Sequence, residues 1–310
     1  MKIFSGRSNV PLAEKIADHL GTELGKVNSR QFSDGELWVK YEENIRGQDV
    51  FIIQSTHHPA DNIIELVLMI DAAVRASARR VTAVIPYYGY GRQDRKDQPR
   101  VPISARVMID LISSVGVGRI LAMDLHSSQI QGFTHIPFDH LYARQVIFER
   151  LREFDLSTET TMILAPDAGR APMAQSFAKH LGVGFGLVDK RRTGPNQAEV
   201  VHLIGDLKGK EVIVIDDMID TGGTTINAAN AAIESGASNV VAVATHGLFS
   251  GDAVERIMSS NIGKVIVTDT VNLNKKREFD KLEEISVSGL FARAVECIHN
   301  GESVSALFEF

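Results

Sequence analysis

The chain has 310 residues and a mass of 34.0 kDa, enough for one large core or two ordinary ones. A formal net charge of −6 provides no global basic field, which argues against charge-driven capture by nucleic acid or an anionic membrane and confines any anion site to a local cluster. The single cysteine, Cys297, excludes an intramolecular disulfide, Met1 to Gly6 lacks the apolar region of a signal peptide, and apolar runs such as Ile63 to Ile70 fall far short of a bilayer span; a cytoplasmic protein is expected.

In chain order, apolar residues spaced near 3.6 predict a helix over Pro11 to Leu20, and a continuous β-branched run predicts a strand over Val50 to Ile53. The same signals then alternate: helix Asp61 to Ala78, strand Val81 to Ile85, helix Ile103 to Ser113, strand Ile120 to Met123. Phe138 to Glu153 reads as a bridge into a second series: strand Met162 to Ala165, helix Ala171 to Leu181, strand Val212 to Ile215, helix Thr225 to Ser235, then strands Val240 to Ala244 and Val265 to Val267. Runs apolar throughout suit strands buried on both faces of a parallel sheet. Several helices end at Gly21, Gly182 or Gly236, where a left-handed cap fits. The order predicts an α/β protein of two doubly wound domains, 1–142 and 143–290, with a tail of about 290–310 packing on the first.

The sharpest motif is Val212 to Ile215 running into Asp216, Asp217 and Met218-Ile219-Asp220-Thr221-Gly222-Gly223-Thr224-Thr225. A Gly and Thr turn after a parallel strand sets backbone N–H groups and a helix N-terminus against one anion, with threonine hydroxyls as further donors. Carboxylates repel phosphate, so Asp216 and Asp217 need another partner, and the vicinal hydroxyls of a ribose supply one. A bare Asp-x-x-Gly turn would merely cap a helix; three acids with Thr-Gly-Gly-Thr-Thr point to a phosphorylated sugar.

This segment resembles the phosphoribosyl diphosphate-binding signature of type I phosphoribosyltransferases and, more closely, the class I ribose-phosphate diphosphokinases. The resemblance runs from Phe4-Ser5-Gly6 to Ser303-Val304-Ser305-Ala306-Leu307-Phe308 and implies the type I phosphoribosyltransferase-like fold in both domains. Further motifs separate the synthetase from the transferases. Asp124-Leu125-His126 to Phe133 follows a predicted strand; a lone histidine there is more often structural, but the whole string resembles the synthetase segment in which His126 meets the Mg²⁺ of ATP, with Asp124 beside it. Asp167, within Ala165-Pro166-Asp167-Ala168-Gly169-Arg170, resembles the diphosphate loop and a second metal contact.

Lys190-Arg191-Arg192 alone would read as a solvated charge run; by resemblance Lys190 and Arg192 close over the reacting phosphates, and Arg192 also serves the sugar phosphate. Gln31 to Glu36 reads equally as a β-turn or as a nucleotide contact, and Pro86 to Asp97 equally as a charged loop. Resemblance makes both ATP-binding, through Phe32, Asp34, Gly35 and Glu36 and through Arg92, Gln93 and Asp97, with the Phe32 loop shared across subunits of an oligomer, usually a hexamer. The same resemblance implies Mg²⁺ as cofactor, ATP and ribose 5-phosphate as substrates, and an effector site for phosphate or ADP at Arg46, Arg100, Ser303, Ser305 and Phe308. Two positions depart from the family pattern: Gly91 replaces the commoner Ala, and Asn44 stands where several regulated members carry Ser. The rival functions are a transferase that consumes the diphosphate and a non-catalytic relative on the same fold.

Overall fold

The apolar, β-branched runs form the interiors of two sheets in a computed structural model that describes residues 1–191, 200–273 and 279–307. Contacts along the chain divide it into one unit of Met1–Ala143, Thr270–Asn272 and Ser286–Phe310 and another of Arg144–Asp269 and Leu273–Ile285. Among the described residues, no helix is long and apolar enough to cross a membrane.

The first unit runs β1 (Lys2–Ser5), α1 (Val10–His19), β2 (Val27–Gln31), β3 (Leu37–Tyr41), β4 (Asp49–Ile53), α2 (Asp61–Arg75), β5 (Arg80–Ile85), α3 (Ser104–Ser114), β6 (Arg119–Met123) and β7 (Phe138–Leu141). Strands β1, β4, β5, β6 and β7 are adjacent in that order and parallel, while β2 and β3 form a separate antiparallel pair. Because strand side chains alternate faces, Val50 and Ile52 join Leu66, Met69 and Ile70 of α2 and Ile109 and Ile112 of α3 in one core cluster. The alternate residues Phe51, Ile53 and Val84 are equally buried but lie outside that cluster, as do Leu12 and Ile16 of α1. Both sheet faces are therefore covered, which is why these strands read as unbroken apolar runs. Asn9 starts α1 by accepting the Leu12 N–H on Oδ1 at 3.3 Å, with Pro11 in the first turn, where its missing N–H costs nothing.

The second unit comprises α4 (Arg144–Leu151), β8 (Thr161–Ala165), α5 (Ala171–Leu181), β9 (Gly184–Arg191), β10 (Val200–Ile204), β11 (Glu211–Ile219), α6 (Gly223–Glu234), β12 (Asn239–Gly247), α7 (Ala253–Met258), β13 (Lys264–Thr268) and β14 (Leu282–Ile285). Its strands, among the described residues, lie in the order β10-β9-β8-β11-β12-β13-β14, with β10 antiparallel to β9. From β8 the chain steps outward to β9 and β10, then returns to place β11 on the other side of β8. The direction reverses between β8 and β11, and the carboxyl ends flanking such a reversal open a crevice. A last helix, α8 (Ser288–Asn300), returns to the first unit, where His19 of α1 lies 3.6 Å from the Cβ position of Gly289.

Three predicted segments differ. Strand β11 continues through Asp216 and Asp217 to Ile219, because β12 keeps pairing with it as far as Ile219 opposite Gly247; the expected loop shrinks to Asp220, Thr221 and Gly222. The expected bridge at Phe138 to Glu153 contains β7, which completes the first sheet, and α4. Helix α2 stops at Arg75, since Ser77 turns to φ 61.

Candidate active site

In the second unit the strand ends place the acids. Pairing of β11 with β8 ends at Val214 opposite Leu164, so Asp216 and Asp217 extend beyond it at the reversal point. Both are buried, at 9% and 2% exposure, an arrangement two adjacent carboxylates do not tolerate without a counter-charge. Arg170 supplies it. Its Nε lies 3.1 Å from Asp216 Oδ1 and its Nη2 3.1 Å from Asp217 Oδ1. Burial, followed by the Asp217 carboxyl alongside, still pushes the Asp216 carboxyl well above the usual carboxylate range, while Arg170 opposes the rise. Asp167, two residues after β8, accepts the Arg170 N–H on Oδ1 at 3.1 Å, so one short turn fixes both that carboxylate and the arginine.

The turn expected to hold an anion follows. Gly222 has φ 73, a conformation L side chains rarely adopt, and its carbonyl accepts the Ile226 N–H at 2.8 Å to begin α6. The turn is braced from a distant segment: Ser250 N–H donates to Asp220 O at 2.9 Å, and Arg256 Nη1 donates to Thr221 O at 3.1 Å. Arg256 Nη2 also lies 3.6 Å from the Cβ position of Gly223, adding a cation beside the helix N-terminus. Thr221 is exposed, Thr224 half-buried and Thr225 buried. Asp216, Asp217 and the 220–225 turn therefore share one strand end, while Arg170 and Arg256 are participants that the sequence reading did not single out.

In the first unit the expected nucleotide residues sit on the β2–β3 hairpin and two loops. Phe32 is 46% exposed at the hairpin turn, which is closed by Phe32 N–H to Glu36 O at 2.8 Å, Gly35 N–H to Phe32 O at 3.0 Å and Glu36 N–H to Asp34 Oδ1 at 3.1 Å. Gly35 takes φ 98 there. The segment is an ordered turn that presents an aromatic face to solvent. Arg92 and Asp97 are exposed. Gln93 is engaged locally, since its Oε1 accepts the Ser104 hydroxyl and its carbonyl accepts the Ala105 N–H at 3.1 Å, which holds the start of α3. His126 is half-buried. Asp124 is buried at φ 38 and accepts the Ala143 N–H on Oδ2 at 2.9 Å, which ties the end of β6 to the loop after β7. Arg46 and Arg100 are exposed, and Ser303 Oγ accepts the Ser305 N–H at 3.2 Å. The Lys190 side chain, Arg192 and Phe308 lie outside the described residues.

Comparison with known proteins places these features in a family. Residues 1–116 match the N-terminal domain of ribose phosphate pyrophosphokinase, and residues 192–309 match the phosphoribosyl synthetase-associated domain. A ribose-phosphate pyrophosphokinase of Chlorobaculum tepidum is 52% identical over 310 residues, covering 100% of this chain and 95% of that protein. One from Aquifex aeolicus is 47% identical over 309 residues, covering 99% of each. The crystal structure of phosphoribosylpyrophosphate synthetase from Mycobacterium smegmatis superposes with a TM-score of 0.91 at 37% identity, covering 97% of this chain and 99% of that one. With two phosphoribosyltransferase-like α/β domains and this extent of identity, the chain belongs to the ribose-phosphate pyrophosphokinase family.

Proposed function

We propose that the protein transfers the diphosphoryl group of ATP to the anomeric hydroxyl of ribose 5-phosphate, giving 5-phospho-α-D-ribose 1-diphosphate and AMP. The observation that carries this reading is the near-full-length identity to ribose-phosphate pyrophosphokinases in a chain whose Asp216–Asp217 strand end leads into a phosphate cradle. The sugar oxygen bonds to the β-phosphorus, the bridging bond to the α-phosphate breaks in line, and AMP leaves as the hydroxyl proton is lost.

Each residue has a task in that reaction. The 220–225 turn holds the 5-phosphate through backbone N–H groups and threonine hydroxyls. Asp216 and Asp217 accept the ribose hydroxyls and fix the anomeric oxygen, with Arg170 holding both carboxylates in place. Phe32 stacks on the adenine, Asp34 and Glu36 accept from the nucleoside, and Arg92 engages polyphosphate. Lys190 and Arg192 stabilise the charge that builds on the transferred group.

Among the described residues, no cluster of three or more His, Cys, Asp or Glu side chains surrounds a cation. Mg²⁺ takes few protein ligands and keeps waters or phosphate oxygens, so isolated donors suit it: His126 and Asp124 in the first unit and Asp167 in the second would hold it, and when bound it would neutralise the triphosphate. A homo-oligomer, usually a hexamer in this family, and phosphate or ADP binding at Arg46, Arg100, Ser303, Ser305 and Phe308 complete the reading, in a cytoplasmic enzyme with no nucleic-acid partner.

Purified protein given Mg²⁺, ATP and ribose 5-phosphate should release AMP stoichiometrically with phosphoribosyl diphosphate; release of ADP would sink the assignment. Lys190→Ala should lower kcat by about 10²–10³ with an unchanged Tm, as for loss of a transition-state donor. A parallel loss of fold would contradict its role.

A further inference from the structure

Glu65 is fully buried, and the mechanism above makes no use of it. Its carboxylate nevertheless accepts four hydrogen bonds. Arg7 donates twice, from the backbone N–H to Oε2 at 3.1 Å and from Nε to Oε1 at 2.9 Å; Gln54 Nε2 donates to Oε2 at 2.8 Å; and the Ser29 hydroxyl donates to Oε1. Gln54, itself fully buried, is held in turn by Ser8, whose N–H and hydroxyl donate to Gln54 Oε1 at 3.0 and 2.7 Å. Gly6 permits this closeness, since a Cβ there would sit 2.3 Å from Gln54 Oε1.

Three of the four donors come from Gln54, the residue after β4, and from Arg7 in the loop after β1, and the fourth comes from the hairpin. Ser29 lies on β2, three residues before Phe32. Two further contacts tie the hairpin to the same helix: Gln31 Nε2 donates to Asp61 Oδ2 at 3.2 Å, and Tyr41 Oη donates to Met69 O at 2.9 Å. Asp61, Glu65 and Met69 are four residues apart, so they form one stripe along α2 facing the hairpin. Ser29 and Gln31 are two apart on β2 and therefore share a face. An isolated two-stranded hairpin is marginal in water, and this one forms its own two-stranded sheet. Of the three ties, the middle one alone ends on a charge locked in the core.

We propose that Glu65 is a positioning residue for nucleotide binding: its buried carboxylate anchors the β2–β3 hairpin through Ser29 and so fixes where Phe32 presents its ring. This rests on the reading of Phe32 as a nucleotide contact. A purely structural carboxylate would stabilise the core without favouring one substrate over the other.

The test uses the full chain, with Ser29→Ala as the mild lesion, Glu65→Gln as the stronger one and Phe32→Ala as a reference. Ser29→Ala removes the tie to the hairpin and leaves Glu65 with its other donors. Amide exchange over residues 27–41 should accelerate about tenfold, and the KM for ATP should rise about three- to tenfold, from loss of one charge-assisted hydrogen bond. The KM for ribose 5-phosphate and kcat should stay within about twofold, and Ser29→Thr should restore both readouts. Unchanged exchange and unchanged KM for ATP in Ser29→Ala overturn the inference even where Phe32→Ala raises that KM. Equal rises in both KM values overturn it too, because they report general loosening. If Phe32→Ala leaves the KM for ATP unchanged, the nucleotide reading fails, and accelerated exchange in Ser29→Ala then shows an anchor with no role in binding ATP.

Discussion

Arg170 shows how one side chain makes a chemically demanding site foldable. Two adjacent carboxylates at the end of a buried strand repel each other and lose hydration, and a guanidinium with a forked donor set can reach both. Arg170→Gln should therefore cost about 2–4 kcal/mol in chemical denaturation, because it leaves acids buried without their cation. The same variant should raise the KM for ribose 5-phosphate more than that for ATP, and steady-state kinetics would show it. Asp216 and Asp217 were legible in the sequence, since their chemistry is local to the motif. Arg170 stands in its own loop motif with no partner visible in the sequence, because the acids it serves lie 46 and 47 positions further along the chain.

At the scale of elements, the strand-turn-helix unit was recognised by composition but not by its limits. Polar residues normally mark a strand's end, so the sequence suggested that β11 stopped before Asp216; hydrogen bonding to β12 carries it to Ile219. That pairing narrows the turn before α6 to Asp220, Thr221 and Gly222. Gly222 is the residue on which the turn depends. Its φ of 73 disfavours any Cβ, and one placed there would stand 3.4 Å from Ile226 Cδ1 and from Ile257 Cγ1. Gly222→Ala should cost about 1–2 kcal/mol in thermal or urea unfolding and weaken ribose 5-phosphate binding measured by calorimetry. The hairpin β2–β3 and strands β9 and β10 were missed as elements. Val27-Asn28-Ser29-Arg30-Gln31 is polar at four of its five positions, so it lacks the apolar run that marks a buried strand, although its partner β3 follows directly in the chain.

Across the whole molecule, the chain's last helix belongs to the unit formed by its beginning. Arg80 joins the two by pairing bidentately with Asp49 while its Nη2 donates to Ile298 O at 2.8 Å, and His299 Nδ1 lies 2.8 Å from Asp49 Oδ2. Burial pushes the Asp49 carboxyl up, but the hydrogen bonds and charges of Arg80 and His299 together outweigh it and leave its pKa below the ordinary value. A carboxylate with a lowered folded pKa contributes stability that is fully present above its unfolded pKa of about 3.9 and fades as pH falls through the folded value. Asp49→Asn should thus destabilise the protein by about 1–3 kcal/mol at pH 7, and the gap from wild type should shrink in unfolding measurements near pH 3. No difference between the two pH values would remove Asp49 from this tie.

By itself, the sequence determined the alternating α/β pattern, the buried strands and the strand-turn-helix motif, because each rests on side chains close together in the chain: β-branched runs for strands, glycines for left-handed caps, acids, glycines and threonines for the turn into a helix. Tertiary structure decided which strands flank the reversal between β8 and β11, how far β11 runs, and which cations stand beside its acids. It also decided that Glu65, one of many acids in the sequence, is the one buried beneath the hairpin. Those outcomes depend on hydrogen bonding and charge pairing between residues tens to hundreds of positions apart, and no local pattern of residues encodes such a partner.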